Sequence, residues 1–292
     1  MLDEELCNFC DLIFPIPTKL EALEFLLRGC RVGDQSLFPI ITQGISKLTH
    51  LKRLCLDFSS THVGNKSIEA LGDIALPSIK ALEHLELNLA STMTTDVGIM
   101  QLFLRDMTTI RSVILNFNCT KITDKSIQAL AMYCLPSMQN LEHFELHLDS
   151  TEVTDQSVAL LFVKELPFIK SFILDLALTQ VSDKSIEAFM TNSLPSMKAM
   201  EHLELHLTVT RVTDQSISLL LSKDMSNMRS VILELSNTEI SDKSIQSFAQ
   251  NKTLNSMTVK RLQLSVDNTK VSEQGKRAIN ELQKKVLQPW FA

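Results

Sequence analysis

The side chains that could do chemistry are histidines and glutamates at fixed spacing. His-x-Glu-x-His occurs at His143, Glu145 and His147 and again at His202, Glu204 and His206, and a shortened form, His84 with Glu86, precedes them. Five of the chain's seven histidines lie in these stretches. Imidazole beside carboxylate suits metal coordination or acid–base transfer, since both groups are ligands and imidazole titrates near neutrality. The spacing argues against one shared ion. Each stretch alternates apolar and polar residues at period two, the mark of a strand, and residues four apart in a strand lie about 13 Å apart at ~3.3 Å each. His143 with Glu145 would need ligands from adjoining strands, whose equivalent positions are Ser and Ile. The second copy follows the first by 59 residues, as duplication yields without any demand from chemistry. No metal and no cofactor are expected. No Ser or Cys stands out as a nucleophile, and neither G-x-x-x-x-G-K-[ST] nor G-x-G-x-x-G is present among only seven glycines.

What positions these residues is a repeat. Around the first pentapeptide the chain reads LEHFELHLDSTEVTD, a strand pattern running into a turn and an Asp suited to capping a helix. The same frame recurs with its capping position at Asp34, Asn65, Asp96, Asp124, Asp155, Asp183, Asp214, Asp242 and Glu273, in steps of 31 or 28 residues. A period of this length marks stacked supersecondary units that bury one face against a neighbour. DKSI at Asp124, Asp183 and Asp242 keeps the 59-residue spacing of a duplicated two-unit block.

The unit L-x-x-L-x-L-x-L-x-x-T-x-V-T-D resembles the leucine-rich-repeat family over roughly residues 20–272. It departs from the family signature in two ways: two residues are added to the strand, and the Asn of the turn is replaced by Thr61, Thr92, Thr120, Thr151, Thr179, Thr210, Thr238 and Thr269, with Cys30 in the first unit. A Thr hydroxyl can donate and accept, so a Thr column could satisfy turn backbone between coils. The unit lengths look like the long, helix-bearing subclass typified by ribonuclease inhibitor, and the lengthened strand looks like repeats of ciliate proteins. The resemblance implies an α/β horseshoe solenoid with a parallel concave sheet of about nine strands and convex helices. Strands are expected over 20–27, 51–58, 82–89, 110–117, 141–148, 169–176, 200–207, 228–235 and 259–266, joined in parallel by helical crossovers. Residues 1–19 are expected as an N-terminal cap, 20–272 as one elongated solenoid and 273–292 as a capping helix and tail.

A chain of 292 residues with 45% hydrophobic content can bury a large core. A net charge of −6 with no basic stripe argues against nucleic acid or an anionic membrane as partner. The acidic opening MLDEEL and the lack of any apolar run near ~20 residues favour a soluble cytoplasmic protein. Cys30, Cys55, Cys119 and Cys134 fall at or near apolar positions and read as reduced, small core residues. Cys7 and Cys10 form a lone C-x-x-C with no second pair to complete a zinc site, and their apolar neighbours favour cap packing. In the tail QPWFA, the only Trp is expected to fold back on the cap.

With the leucines inward, the intervening residues line the other face of the sheet. There Ile114, Ile173 and Ile232 are expected as an exposed apolar row, with His84, Glu86, His143, Glu145, His147, Asp175, His202, Glu204, His206 and Glu234 around them. Apolar positions rimmed by charge mark contact surfaces, and the sign of the rim calls for a partner with basic groups at its edge. The expected function is a non-catalytic protein-protein interaction scaffold or adaptor, a subunit of a larger intracellular hetero-complex, ciliary or cytoskeletal. Two alternatives are weighed: substrate recognition in a ubiquitin ligase, for which 1–19 is too short to hold an F-box, and a His/Glu-based hydrolase or metalloenzyme.

Overall fold

The structure, a computed structural model, describes residues 19–163, 165–221, 227–250 and 259–287. The N-terminal cap with Cys7 and Cys10, Asn255 and the tail QPWFA lie outside them. The chain divides into two compact units, Met1–Glu152 and Val153–Ala292.

The first unit holds five parallel strands, β1 (Ala22–Leu26), β2 (Arg53–Asp57), β3 (His84–Asn88), β4 (Ser112–Asn116) and β5 (His143–His147), paired in sequence order. The second holds β6 (Ser171–Asp175), β7 (His202–His206), β8 (Ser230–Glu234) and β9 (Arg261–Ser265), also parallel and in order. All nine expected strands are present, each shorter than its apolar pattern. Leu51 and Leu141 precede β2 and β5 and are fully buried outside the ladder, so the leucine pattern reports core contact over a longer stretch than backbone pairing.

Helices alternate with the strands: α1 (Asp34–Pro39), α2 (Asn65–Ala70), α3 (Asp96–Phe103), α4 (Asp124–Ala129), α5 (Asp155–Leu161), α6 (Asp183–Ala188), α7 (Asp214–Leu221), α8 (Asp242–Gln250) and α9 (Glu273–Leu287). The 28-residue units have a single helix of seven or eight residues. In the 31-residue units that open with α1, α2, α4 and α6, a six-residue α-helix runs on through a five-residue π turn and a short final turn. The three extra residues are thus taken up on the helical side, and the strands keep their register. Pro77, Pro136 and Pro195 sit at the start of that final turn, where a missing N–H breaks no bond.

Helix starts fall where the sequence places its capping residues, but the capping is done differently. Thr95, Thr123, Thr154 and Ser182 are the N-caps, extended in backbone, each accepting from the N–H two residues on. The Asp that follows reaches into the next coil. Asp96 accepts from the backbone and hydroxyls of both Thr123 and Ser126, and Asp155 does the same with Ser182 and Ser185. Asp214 repeats this with Ser241 and Ser244, while Asn65 performs the neutral version on Thr95 and Gly98. Burial alone would raise the Asp96, Asp155 and Asp214 carboxyls, but these bonds outweigh it and hold all three below the usual range.

The threonine column also departs from expectation. Thr61, Thr92, Thr120 and Thr151 donate at 2.6–2.7 Å to the carbonyl three residues back in their own coil, as do Thr179, Thr210 and Thr238, so they tie the turn to itself rather than to its neighbour. Linkage between coils comes from the preceding residue. Ser60, Ser91, Cys119, Leu178, Val209 and Asn237 adopt positive φ near 55° and each donates its N–H to the next coil. That conformation is cheap for Asn and costly for a β-branched Val.

The core lies between sheet and helices. Leu85, Leu87, Val113, Leu115, Phe144 and Leu146 in the first unit, and Phe172, Leu174, Leu203, Leu205, Val231 and Leu233 in the second, are at most 2% exposed. Each contributes about 1.5–3 kcal/mol of burial. Helix α9 packs on β9 and α8, and its Ile279, Leu282 and Val286 are buried. Of the four cysteines assigned to the core, Cys55 and Cys134 are buried, whereas Cys30 is half-buried and Cys119 is exposed at a positive-φ turn. Among the described residues no helix is long and apolar enough to cross a membrane.

Candidate functional site

Parallel register arranges the outer face of each unit in rows. In the first unit one row runs Ala22, Arg53, His84, Ser112 and His143, and the next Glu24, Cys55, Glu86, Ile114 and Glu145. In the second the corresponding rows are Ser171, His202, Ser230 and Arg261, then Ile173, Glu204, Ile232 and Gln263. His, Glu and Ile are therefore near neighbours across strands.

The two histidines of each pentapeptide converge. His147 Nε2 donates to Glu145 Oε1 at 2.7 Å while His143 Nε2 lies 3.3 Å from Oε2. In the second unit His206 and His202 grip Glu204 at 2.6 and 3.3 Å. The backbone separation that forbids a shared ion does not keep the rings apart, because both lean toward the carboxylate between them. The histidine bonds outweigh burial and lower the Glu145 carboxyl from 4.5 to about 2. Its side chain is 22% exposed, so the group is half-sheltered and held in one place.

β3 carries the same His-x-Glu frame in different company. Asn88 stands where the second histidine would be, and its side-chain oxygen accepts the Ala90 N–H. Cys55 on β2 pairs with Glu86, the place that Ile114 on β4 takes before Glu145, and the same Ile114 borders Glu86 on its other side. The thiol is pushed up to about 11, by burial first and then by its bond to Glu86. His84 Nδ1 lies 2.8 Å from Ser112 Oγ, and its Nε2 is buried without a hydrogen-bond partner. Burial, then the Arg53 charge, lowers the His84 pKa and favours the neutral ring. Arg53 lies 3.6 Å from Glu24 and 3.7 Å from Glu86. The sequence shows each of these residue types, but nothing in it marks the four as one group.

Two expected face residues are withdrawn from the accessible surface. Ile232 is only 3% exposed, in a row between the longer Glu204 and Gln263, so the exposed isoleucine row is not formed; Ile114 and Ile173 are half-buried and each borders a glutamate strand. Asp175 is 8% exposed and accepts the Ala177 N–H, closing the strand end. Glu234 remains half-buried and accepts from Gln263 at 3.0 Å.

Parallel strands, helical crossovers and a repeated leucine frame together define an α/β solenoid of leucine-rich-repeat type. No protein-family model matches the sequence, and no curated protein is detectably similar to it. Solved structures of similar fold include an LRR protein of Leptospira interrogans, with a TM-score of 0.41 at 17% identity over 82% of this chain, which spans 61% of that protein's length. A chain of the yeast Rad7 and Elc1 complex gives 0.44 at 13% identity over 98% of this chain and 82% of its own. An internalin (inlF) of Listeria monocytogenes gives 0.40 at 14% over 96% and 92%. At such identities and scores these likenesses say nothing of function.

Proposed function

We infer that this chain is a non-catalytic protein-interaction scaffold, an adaptor subunit whose outer sheet faces receive a protein partner bearing Lys or Arg at its contact edge. The observation that carries this reading is the pair of histidine-clamped carboxylates. Glu145 and Glu204 each sit on a parallel sheet, held in place by two imidazoles, and so lose little freedom on contact. His84, Glu86, Ile114, Ile173 and Glu234 extend the same faces. Ionised carboxylates in that setting favour a basic rim on the partner. The two residues added to each repeat, like those of ciliate repeats, suggest a ciliary or cytoskeletal assembly.

Quantitative affinity purification of the full chain from its native cells, beside the double variant E145K/E204K checked for native circular dichroism, tests the reading. The principal protein recovered with the wild type should fall at least about tenfold with the variant. Unchanged recovery would remove the sheet face from the contact.

A further inference from the structure

We propose that Cys55, His84 and Glu86 form a binding site for a borderline-soft divalent cation, with zinc the best chemical match. The inference concerns the first unit alone and does not depend on the partner reading.

Thiolate, imidazole and carboxylate are the three side-chain ligand types of zinc, and three protein ligands with one open position is a standard arrangement for it. Sγ, a ring nitrogen and a carboxylate oxygen of these residues all lie within 4.8 Å of one another. His84 Nε2 and Glu86 Oε2 are 3.8 Å apart. Tetrahedral zinc at usual bond lengths holds N and O about 3.4 Å apart and N and S about 3.6 Å apart. Closing the trio on an ion therefore takes small side-chain rotations and no movement of the strands.

Three features separate this trio from ordinary face residues. His84 Nε2 is a buried ring nitrogen with no hydrogen-bond partner, which costs free energy unless something occupies it. With its proton on Nδ1, donated to Ser112 Oγ, the ring offers the Nε2 lone pair, and a metal-bound histidine normally has its other nitrogen engaged in this way. Finally, the same frame elsewhere is closed off. Glu145 and Glu204 are each taken by two imidazoles and have isoleucine on the preceding strand, whereas Glu86 has Cys55 there, with Ile114 on its other side, and Asn88 in place of the second histidine.

Binding replaces the Cys55 S–H bond with a metal–sulfur bond, and the proton leaves to solvent. The charges then close: the thiolate and the Glu86 carboxylate neutralise the dication beside a neutral imidazole. The charged groups around the trio are Glu24 on β1 and Arg53 on β2, with His143 beyond β4; Arg53 keeps Glu24 as its partner when Glu86 turns to the metal. Glu86 is 41% exposed on its side chain, so a fourth ligand position would open toward solvent.

The test is zinc titration of the tag-free full chain against a chromophoric chelator, repeated with cobalt to read the thiolate-to-metal charge-transfer band. One ion per chain and a thiolate band are expected. Cys55→Ile introduces the residue that flanks the other glutamates and should fold, yet lose affinity roughly 100-fold or more and abolish the band. Ser112→Ala should lose about 10-fold, the scale of an outer-shell partner. Glu86→Gln, a second variant of unchanged size, should also weaken binding. H143A/H147A and C7S/C10S should bind as the wild type does. No stoichiometric binding, binding that survives Cys55→Ile and Glu86→Gln, or binding lost only with C7S/C10S would each overturn the proposal.

Discussion

β3 and β5 start from one frame and end in different chemistry. Both place a histidine two residues before a glutamate on the same face of the same sheet. In β5 the carboxylate is locked by His143 and His147, with Ile114 on the preceding strand; in β3 it meets a thiol on the preceding strand, an imidazole nitrogen without a hydrogen bond 3.8 Å away and an arginine. The difference lies in Cys55 against Ile114 and Asn88 against His147, side chains that alter neither the strand nor its inward leucines. A repeat can thus hold its architecture by the inner face while the outer face diverges one neighbour at a time.

Exchanging those neighbours is the strongest way to break the comparison. C55I/N88H should convert β3 into a β5-like clamp and lower zinc affinity roughly 100-fold or more in the same titration.

The cross-coil carboxylates give a second contrast, because Asn65 performs without charge what Asp96 performs with it. Asp96→Ala strands four donors and should cost about 2 kcal/mol in urea unfolding, while Asp96→Asn should cost less than half of that.

Glu145 sharpens the clamp itself. Its folded carboxyl lies near 2 against an ordinary 4.5, so its contribution is complete above the unfolded value and is lost as pH falls through the folded one. The stability gap between wild type and Glu145→Gln should be largest near neutrality and close as pH drops from about 4.5 toward about 2, read by urea midpoints across that window.

The smallest effect belongs to the turns. Val209 holds a φ of 57° where Asn237 and Asn268 hold the same conformation at less cost. Val209→Asn should stabilise by about 0.5–1 kcal/mol in thermal or urea unfolding.

Much of this was legible along the chain. Each helix begins at the residue the repeat frame singles out, and the inward leucines and outward His/Glu positions follow from period two. The misreadings have two causes. Asp96 looks like the cap of its own helix but serves the next; Thr151 looks like a cross-coil link but bonds its own strand end; Ile232 looks exposed but is covered. For Asp96 and Ile232 the deciding neighbours lie on adjoining coils, which local sequence does not show, whereas the Thr151 hydroxyl finds a carbonyl three residues back and has no need of the next coil.

By itself the sequence determined the coil: strand period, helix starts and the inward direction of the repeat leucines arise from sterics and burial within some thirty residues, and a repeated pattern states them nine times over. Tertiary structure alone decided which side chains meet. Cys55 reaches Glu86, and Asp96 reaches Ser126, only because parallel register lays one coil beside the next, and rings that strand spacing holds far apart at the backbone converge once a carboxylate stands between them.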